Sequence, residues 1–331
     1  MKPRLIFWMM LTVATTAMVL IVLFHRSAMP PARPKTQNQS TSTVAQPVAK
    51  TPSTTVASPQ PAASTAQTEK QPPSIAQAVV NEQKGYWQRH EAILALASGK
   101  LNDSDREILF NFLRQHTAGD DGQQGQALKS LLLDVLCTMQ PPPQGLGELL
   151  AQIYHDSGQN TVLQDYAVQH MAAYYRQMTA ATGVDDQIRS DELKQTQQLL
   201  WDASNNTGSS IAGTALLGMS RLSQEGLPGF DQNKIADKAL DLAGQYGDEL
   251  TRITAIQVCA SLNIKFALPI VLGAAEQGET ESVKISAIGA LGSLGGSGQI
   301  PFLNTVLQGN DDRLKPPAQQ ALNRLKQRLG S

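Results

Sequence analysis

The stretch ESVKISAIGALGSLG, residues 281–295, decides how this chain is read, because the chain writes nearly the same line three times. DELTRITAIQVCASLN (248–263) precedes it and DDRLKPPAQQALNRLK (311–326) follows it. Arg252, Lys284 and Lys315 align, then Ala255, Ala287 and Ala318, then Leu262, Leu294 and Leu325. The step of about 31–32 residues is that of stacked helical pairs. In the middle copy Val283, Ala287, Ala290, Leu291 and Leu294 fall on one helical face. The alanines let a neighbouring helix come close, and Gly295-Gly296 stops the helix. Leu268-Pro269 and Ile300-Pro301 occupy matching places, each opening a second apolar helix, LPIVLGAAEQG and IPFLNTVLQG. Proline suits the first helical position, where its missing N–H would be unpaired anyway. One such pair cannot bury its own apolar face, so each unit must lean on the next.

The signal weakens towards the N-terminus. Ala215, Leu222 and Leu227-Pro228 keep the internal spacing about forty residues earlier, with FDQNKIADKALDLAGQYG (230–247) as a longer second helix. Ala167 and Tyr174 fit again, and SDELKQTQQLLWDASNNTG (190–208) reads as an extra helix and loop. ALKSLLLDVLCTM (127–139) pairs with GLGELLAQIYH (145–155). GYWQRHEAILALASG (85–99) pairs with SDREILFNFLRQH (104–116), where Ser104 and Glu107 have capping-box spacing. Pro316-Pro317 is expected to delay the last helix until about Pro317, since a residue before proline resists helical geometry. Arg324, Lys326 and Arg328 then give that helix an exposed, polar end face. No alternating strand pattern and no Asn-Gly or Asp-Gly hairpin signal is present. The expected fold class is all-α, an α-solenoid of about five to six helix pairs over residues 76–331.

On these repeats the body resembles a HEAT-repeat solenoid of the armadillo-like kind, most closely the short repeats of the phycobilin-lyase-type HEAT family. The resemblance is good over about residues 210–329 and weak over 80–180. Tetratricopeptide repeats have a similar period, but their Trp-Leu-Gly-Tyr pattern is missing. The resemblance implies an extended helical surface for a protein or peptide. It also implies a rival, a bilin-lyase-like enzyme or ligand-handling protein.

Residues 5–24, LIFWMMLTVATTAMVLIVLF, form an uncharged run about 30 Å long as a helix, enough to cross a bilayer. With Met1, Lys2 and Arg4 before it and Arg26, Arg33 and Lys35 after it, charge alone leaves orientation open. A start-proximal segment before a long domain points to a single-pass anchor over residues 1–26. It has a cytoplasmic N-terminus and an extracytoplasmic, periplasmic body; secretion after signal cleavage is the alternative. Residues 27–75 are rich in Pro, Ser, Thr, Ala and Gln, with almost no Leu, Ile or Phe, and are expected to form a disordered linker. As a flexible coil it would span roughly 40 Å.

The first 75 residues carry seven Lys or Arg and one acid, which leaves 20 basic and 27 acidic residues in the rest. An acidic body is a poor binder of phosphate backbones, so nucleic acid is not an expected partner. Cys137 and Cys259 sit in apolar helical patterns and read as buried small hydrophobes. Three repeat layers at roughly 8–10 Å each would hold them well beyond the 7 Å a disulfide tolerates. His90, His116, His155 and His170 form no HExxH and no close pair; a HEAT-fold iron hydroxylase needs several His-Glu dyads, and this chain has only His90-Glu91. GALGSLGGSG lies in a helix and its stop rather than after a strand, which argues against a phosphate loop. Asp185-Asp186 and Asp311-Asp312 stand in turns before helices, where acids cap. Trp87 and Trp201 read as partly buried fillers that could mark a binding surface. No catalytic, cofactor or metal residue is assigned. The expectation is a membrane-tethered, non-catalytic scaffold or adaptor, with a monomeric body and a protein or peptide partner. A structural spacer in an envelope assembly is a further alternative.

Overall fold

Helix is the one kind of regular structure in the described residues, and there is no strand among them. The computed structural model describes residues 74–99, 101–116 and 122–330. The chain runs through α1 (Ile75–Val80), α2 (Tyr86–Leu96), α3 (Asp103–Arg114), α4 (Gln123–Thr138) and α5 (Leu146–His155). It continues through α6 (Thr161–Ala180), α7 (Asp186–Ala203), α8 (Ile211–Gln224), α9 (Gln232–Gly244) and α10 (Glu249–Ser261). It ends with α11 (Leu268–Gln277), α12 (Glu281–Leu294), α13 (Ile300–Gln308) and α14 (Lys315–Leu329). The 3-10 turns Lys265–Ala267 and Ser297–Gln299 lead into α11 and α13. They stand at equivalent places in successive repeats.

Side chains of Ser74, Asn102, Asn160, Asp185, Asp231, Asp248 and Thr280 accept from backbone N–H groups at the starts of α1, α3, α6, α7, α9, α10 and α12. Each satisfies a donor that the first turn leaves without a helical partner. The cap of α3 is Asn102 and not Ser104, which lies inside the helix; Glu107 reaches Arg114 instead. The local acid-rich run holds two cap-type residues two positions apart, and the asparagine took the role. The last helix begins at Lys315, two residues earlier than the proline rule predicts. Pro316 and Pro317 both fit in a first turn whose N–H groups have no helical partner to lose.

The even-numbered helices form one continuous contact chain, α2 on α4, α4 on α6, and so on to α12 on α14. Odd-numbered helices pack on the following even one in the pairs α1–α2, α5–α6, α7–α8, α9–α10, α11–α12 and α13–α14. The aligned alanines explain the even row: Ala215, Ala255, Ala287 and Ala318 are each 0% exposed. Two glycines bring backbones closer still. A Cβ on Gly213 would stand 2.9 Å from the Thr251 Cα, and one on Gly292 would stand 2.9 Å from the Ala321 Cα. Leu222, Leu294 and Leu325 are buried beside them, with Leu262 packed against the same core.

The pairing differs in phase from the sequence reading. Sequence grouped α2 with α3 and α4 with α5, whereas the larger contacts join α1 to α2 and α5 to α6. A buried basic residue near the start of an even helix accounts for this. Arg89 donates to the Val79 carbonyl (2.6 Å) and Arg252 to the Ala243 carbonyl (3.2 Å), tying each helix to the end of the one before. The segment 190–208 holds most of α7 and the loop after it, the helix and loop read from sequence; α7 packs on α5, α6 and α8 and so takes a place in the odd row. With α1 and α7 counted, odd and even helices number seven each among the described residues, where five to six pairs were expected.

Among the described residues no helix is long and apolar enough to cross a membrane. The expected anchor over residues 1–26 and the 27–75 linker up to residue 73 lie outside the described residues. Ser74 and Ile75 already belong to the cap and first turn of α1.

Candidate functional site

Leu227-Pro228 aligns with the dipeptides that open α11 and α13, yet here it opens nothing. Residues 225–231 run as a connection, and α9 starts only at Gln232, capped by Asp231. Gly229 and Gly226 both have positive φ, +86° and +72°, which favours glycine there. Three contacts from other helices fix this connection. The Tyr175 hydroxyl donates to the Pro228 carbonyl (2.7 Å), and Gln197 Nε2 donates to the Gly229 carbonyl (2.7 Å). Arg176 holds both oxygens of Glu225 at 2.6 and 2.7 Å, which raises its pKa. Phe230, 5% exposed, meets Tyr175 edge-on with ring centroids 4.9 Å apart. Burial raises the Tyr175 phenol pKa, so it stays a donor.

Between this connection and the C-terminal half of α7 lies an open cleft of about 720 Å³, lined by Gln197, Trp201, Leu227, Phe230, Asp231 and Lys234, with Gly229 in its wall. Trp201 is partly buried and packs on the core while facing the cleft. Asp231 Oδ1 accepts from the Lys234 N–H at 3.0 Å, so one carboxylate oxygen serves the helix start. Lys238 donates to Asn205 Oδ1 (2.8 Å), bracing the segment after Trp201 against α9. The lining combines one indole face, one carboxamide and a single charge of each sign. Trp201 was legible as a candidate from sequence. Gln197, Phe230, Asp231 and Lys234 were not, and the signal available for them was the step from Ala215 to Ala255, forty residues instead of 32.

A second, smaller cleft of about 230 Å³ lies at the starts of α10 and α12, lined by Tyr246, Glu249, Arg252, Glu279 and Thr280. Arg252 is 7% exposed, pairs with Glu279 (2.5 Å) and lies 4.8 Å from the centre of the Tyr246 ring. Thr280 Oγ1 donates to Glu249 Oε1 (2.9 Å). These groups are taken up in joining the two helices.

The remaining sequence candidates are dispersed. His170 Nε2 is 2.9 Å from Asp134 Oδ1, and His116 Nε2 is 2.9 Å from Asp156 Oδ2. His90 lies against Tyr86 and Trp87, and His155 against Tyr154. No group of three or more His, Cys, Asp or Glu able to hold a metal is present among the described residues. Asp185 caps α7 and Asp186 pairs with Arg189; Asp311 and Asp312 pair with Arg313 and Lys315. Arg313 in turn holds Asp311 below its ordinary pKa. Cys137 and Cys259 are buried and unbridged, and burial pushes the Cys259 thiol up to about 12. Residues 289–298 run through the end of α12 into its 3-10 turn.

No family model and no curated protein matches the sequence. A solved crystal structure of an engineered protein, a Northeast Structural Genomics Consortium target, aligns at 13% identity and a TM-score of 0.38, covering 76% of this chain and 95% of that one. A likeness that slight assigns neither fold family nor function.

Proposed function

We propose that this protein is a membrane-tethered, non-catalytic scaffold whose helices form a HEAT-like α-solenoid that binds a protein or peptide partner. The observation that carries the reading is the unbroken row of even helices, with Ala215, Ala255, Ala287 and Ala318 fully buried at equivalent positions. Stacked in this way, each pair buries the apolar face of its neighbour and leaves a long surface of side chains for recognition. The uncharged run at residues 5–24 supplies the anchor, and the Pro/Ser/Thr/Ala/Gln-rich stretch after it supplies reach without fixing orientation. The body lies on the extracytoplasmic side.

Two measurements test this. Full-length protein should remain in the membrane pellet after carbonate extraction, and a chain starting at Ser74 should be soluble and helical by circular dichroism. A soluble full-length chain removes the tether from the reading. Photo-crosslinking from sites along the even helices in living cells should give a discrete adduct with another protein. Adducts only with other copies of this chain would turn the reading to a structural spacer.

A further inference from the structure

We infer that the Trp201 cleft takes an extended peptide segment and seats a proline or aromatic side chain of it against the Trp201 indole; this rests on the scaffold reading above. The cleft lies where the chain departs from its own repeat. Between Ala255 and Ala287 the step is 32 residues, and between Ala215 and Ala255 it is forty. Leu227-Pro228, at the place where Leu268-Pro269 and Ile300-Pro301 start helices, instead begins the wall of the cleft. The inserted residues do not trail into solvent. Tyr175, Arg176 and Gln197 pin them from α6 and α7, so the wall is formed before any ligand arrives and little ordering cost remains for binding.

The form and chemistry of the cleft select the ligand class. Its volume of about 720 Å³ is that of a ligand site, but it is open, which suits a chain that enters and leaves rather than an enclosed small molecule. Asp231 and Lys234 offset one another, so neither a phosphate nor a strongly charged peptide is favoured. Gln197, whose Nε2 serves the Gly229 carbonyl, offers Oε1 to a peptide N–H, and the Lys234 ammonium suits a peptide carbonyl. The indole offers a flat apolar face of the kind that extended, proline-bearing peptides use.

The test uses the full-length chain in detergent micelles, panned against a random dodecapeptide phage library. Enriched peptides should share a proline or aromatic position. A synthetic copy of the strongest should bind, and Trp201→Ala should weaken it by about tenfold or more, as loss of an aromatic anchor does. Gln197→Ala, which also frees the wall at Gly229, and Lys234→Glu, both in the lining of the cleft, should each weaken binding measurably; Lys234→Glu keeps the test valid if Trp201→Ala fails to fold. Arg324→Ala, at the far end on α14, should leave binding unchanged. Enriched peptides that bind all three cleft variants as tightly as the original chain overturn the cleft assignment while leaving the scaffold reading intact. An absence of any enrichment also overturns it, and leaves the scaffold reading to the crosslinking experiment above.

Discussion

Gly292 and Gly289 lie one turn apart on α12 and face opposite demands. At Gly292 the backbone of α14 is so near that any side chain meets it, whereas a Cβ at Gly289 would find nothing within 4 Å. Gly292→Val should therefore destabilise the protein by about 1–3 kcal/mol through overpacking. Gly289→Ala should be neutral or stabilise by up to about 1 kcal/mol, because alanine is the better helix former. Urea denaturation of the two variants checks the contrast. The thiols make a second prediction at this scale. Cys137 and Cys259 are buried, and burial raises both pKa values, Cys259 from 9.0 to about 12. Neither should react with a disulfide reagent at pH 8 in the native protein, and both should react at once in denaturant. Because the folded thiol keeps its proton while the unfolded one loses it, this contribution to stability is whole below pH 9. It declines as pH rises from there towards 12. A melting temperature that did not fall across that window would contradict the burial.

At the scale of elements, α10 shows how the start of one helix is tied to two others. Asp248 caps it by accepting from the Thr251 N–H at 2.8 Å, and Asp248→Ala should cost about 1 kcal/mol. Arg252, one turn in, bonds the end of α9 and the Glu279 carboxylate before α12. Arg252→Ala should cost more, about 2–3 kcal/mol, because it leaves a buried carbonyl and a charged partner unmatched. Thermal unfolding of both variants at pH 7 ranks them, and equal losses would deny Arg252 its bridging role. The aligned Arg252 was visible in the sequence, but its direction was not. Sequence paired α2, α4, α8, α10 and α12 each with the helix after it, whereas the bond from Arg252 back to Ala243 ties α10 to the helix before. Period and composition give the spacing of helices along the chain; they carry no information about which of two neighbours a side chain will bend towards.

For the whole molecule, the last helix of the row differs from those in its middle. Gln319, Gln320, Asn323, Arg324 and Gln327 of α14 face solvent, while Ala318, Ala321, Leu322 and Leu325 seal α12. Deleting residues 311–331 uncovers the apolar face of α12 that α14 covers. The shortened chain should aggregate or lose its single cooperative transition, as read by light scattering during a thermal melt. The sequence alone determined the helical class, the 32-residue step, the buried alanines and the stop at Gly295, because these follow from local periodicity and backbone chemistry. The tertiary structure decided the phase of the pairs, the place of α7 in the row, and the cleft beside Trp201. Each of these depends on side chains far apart in the chain, Tyr175 with Pro228, Gln197 with Gly229, Arg89 with Val79. Contacts of that range are settled by three-dimensional packing, which a repeat in the sequence can announce but cannot orient.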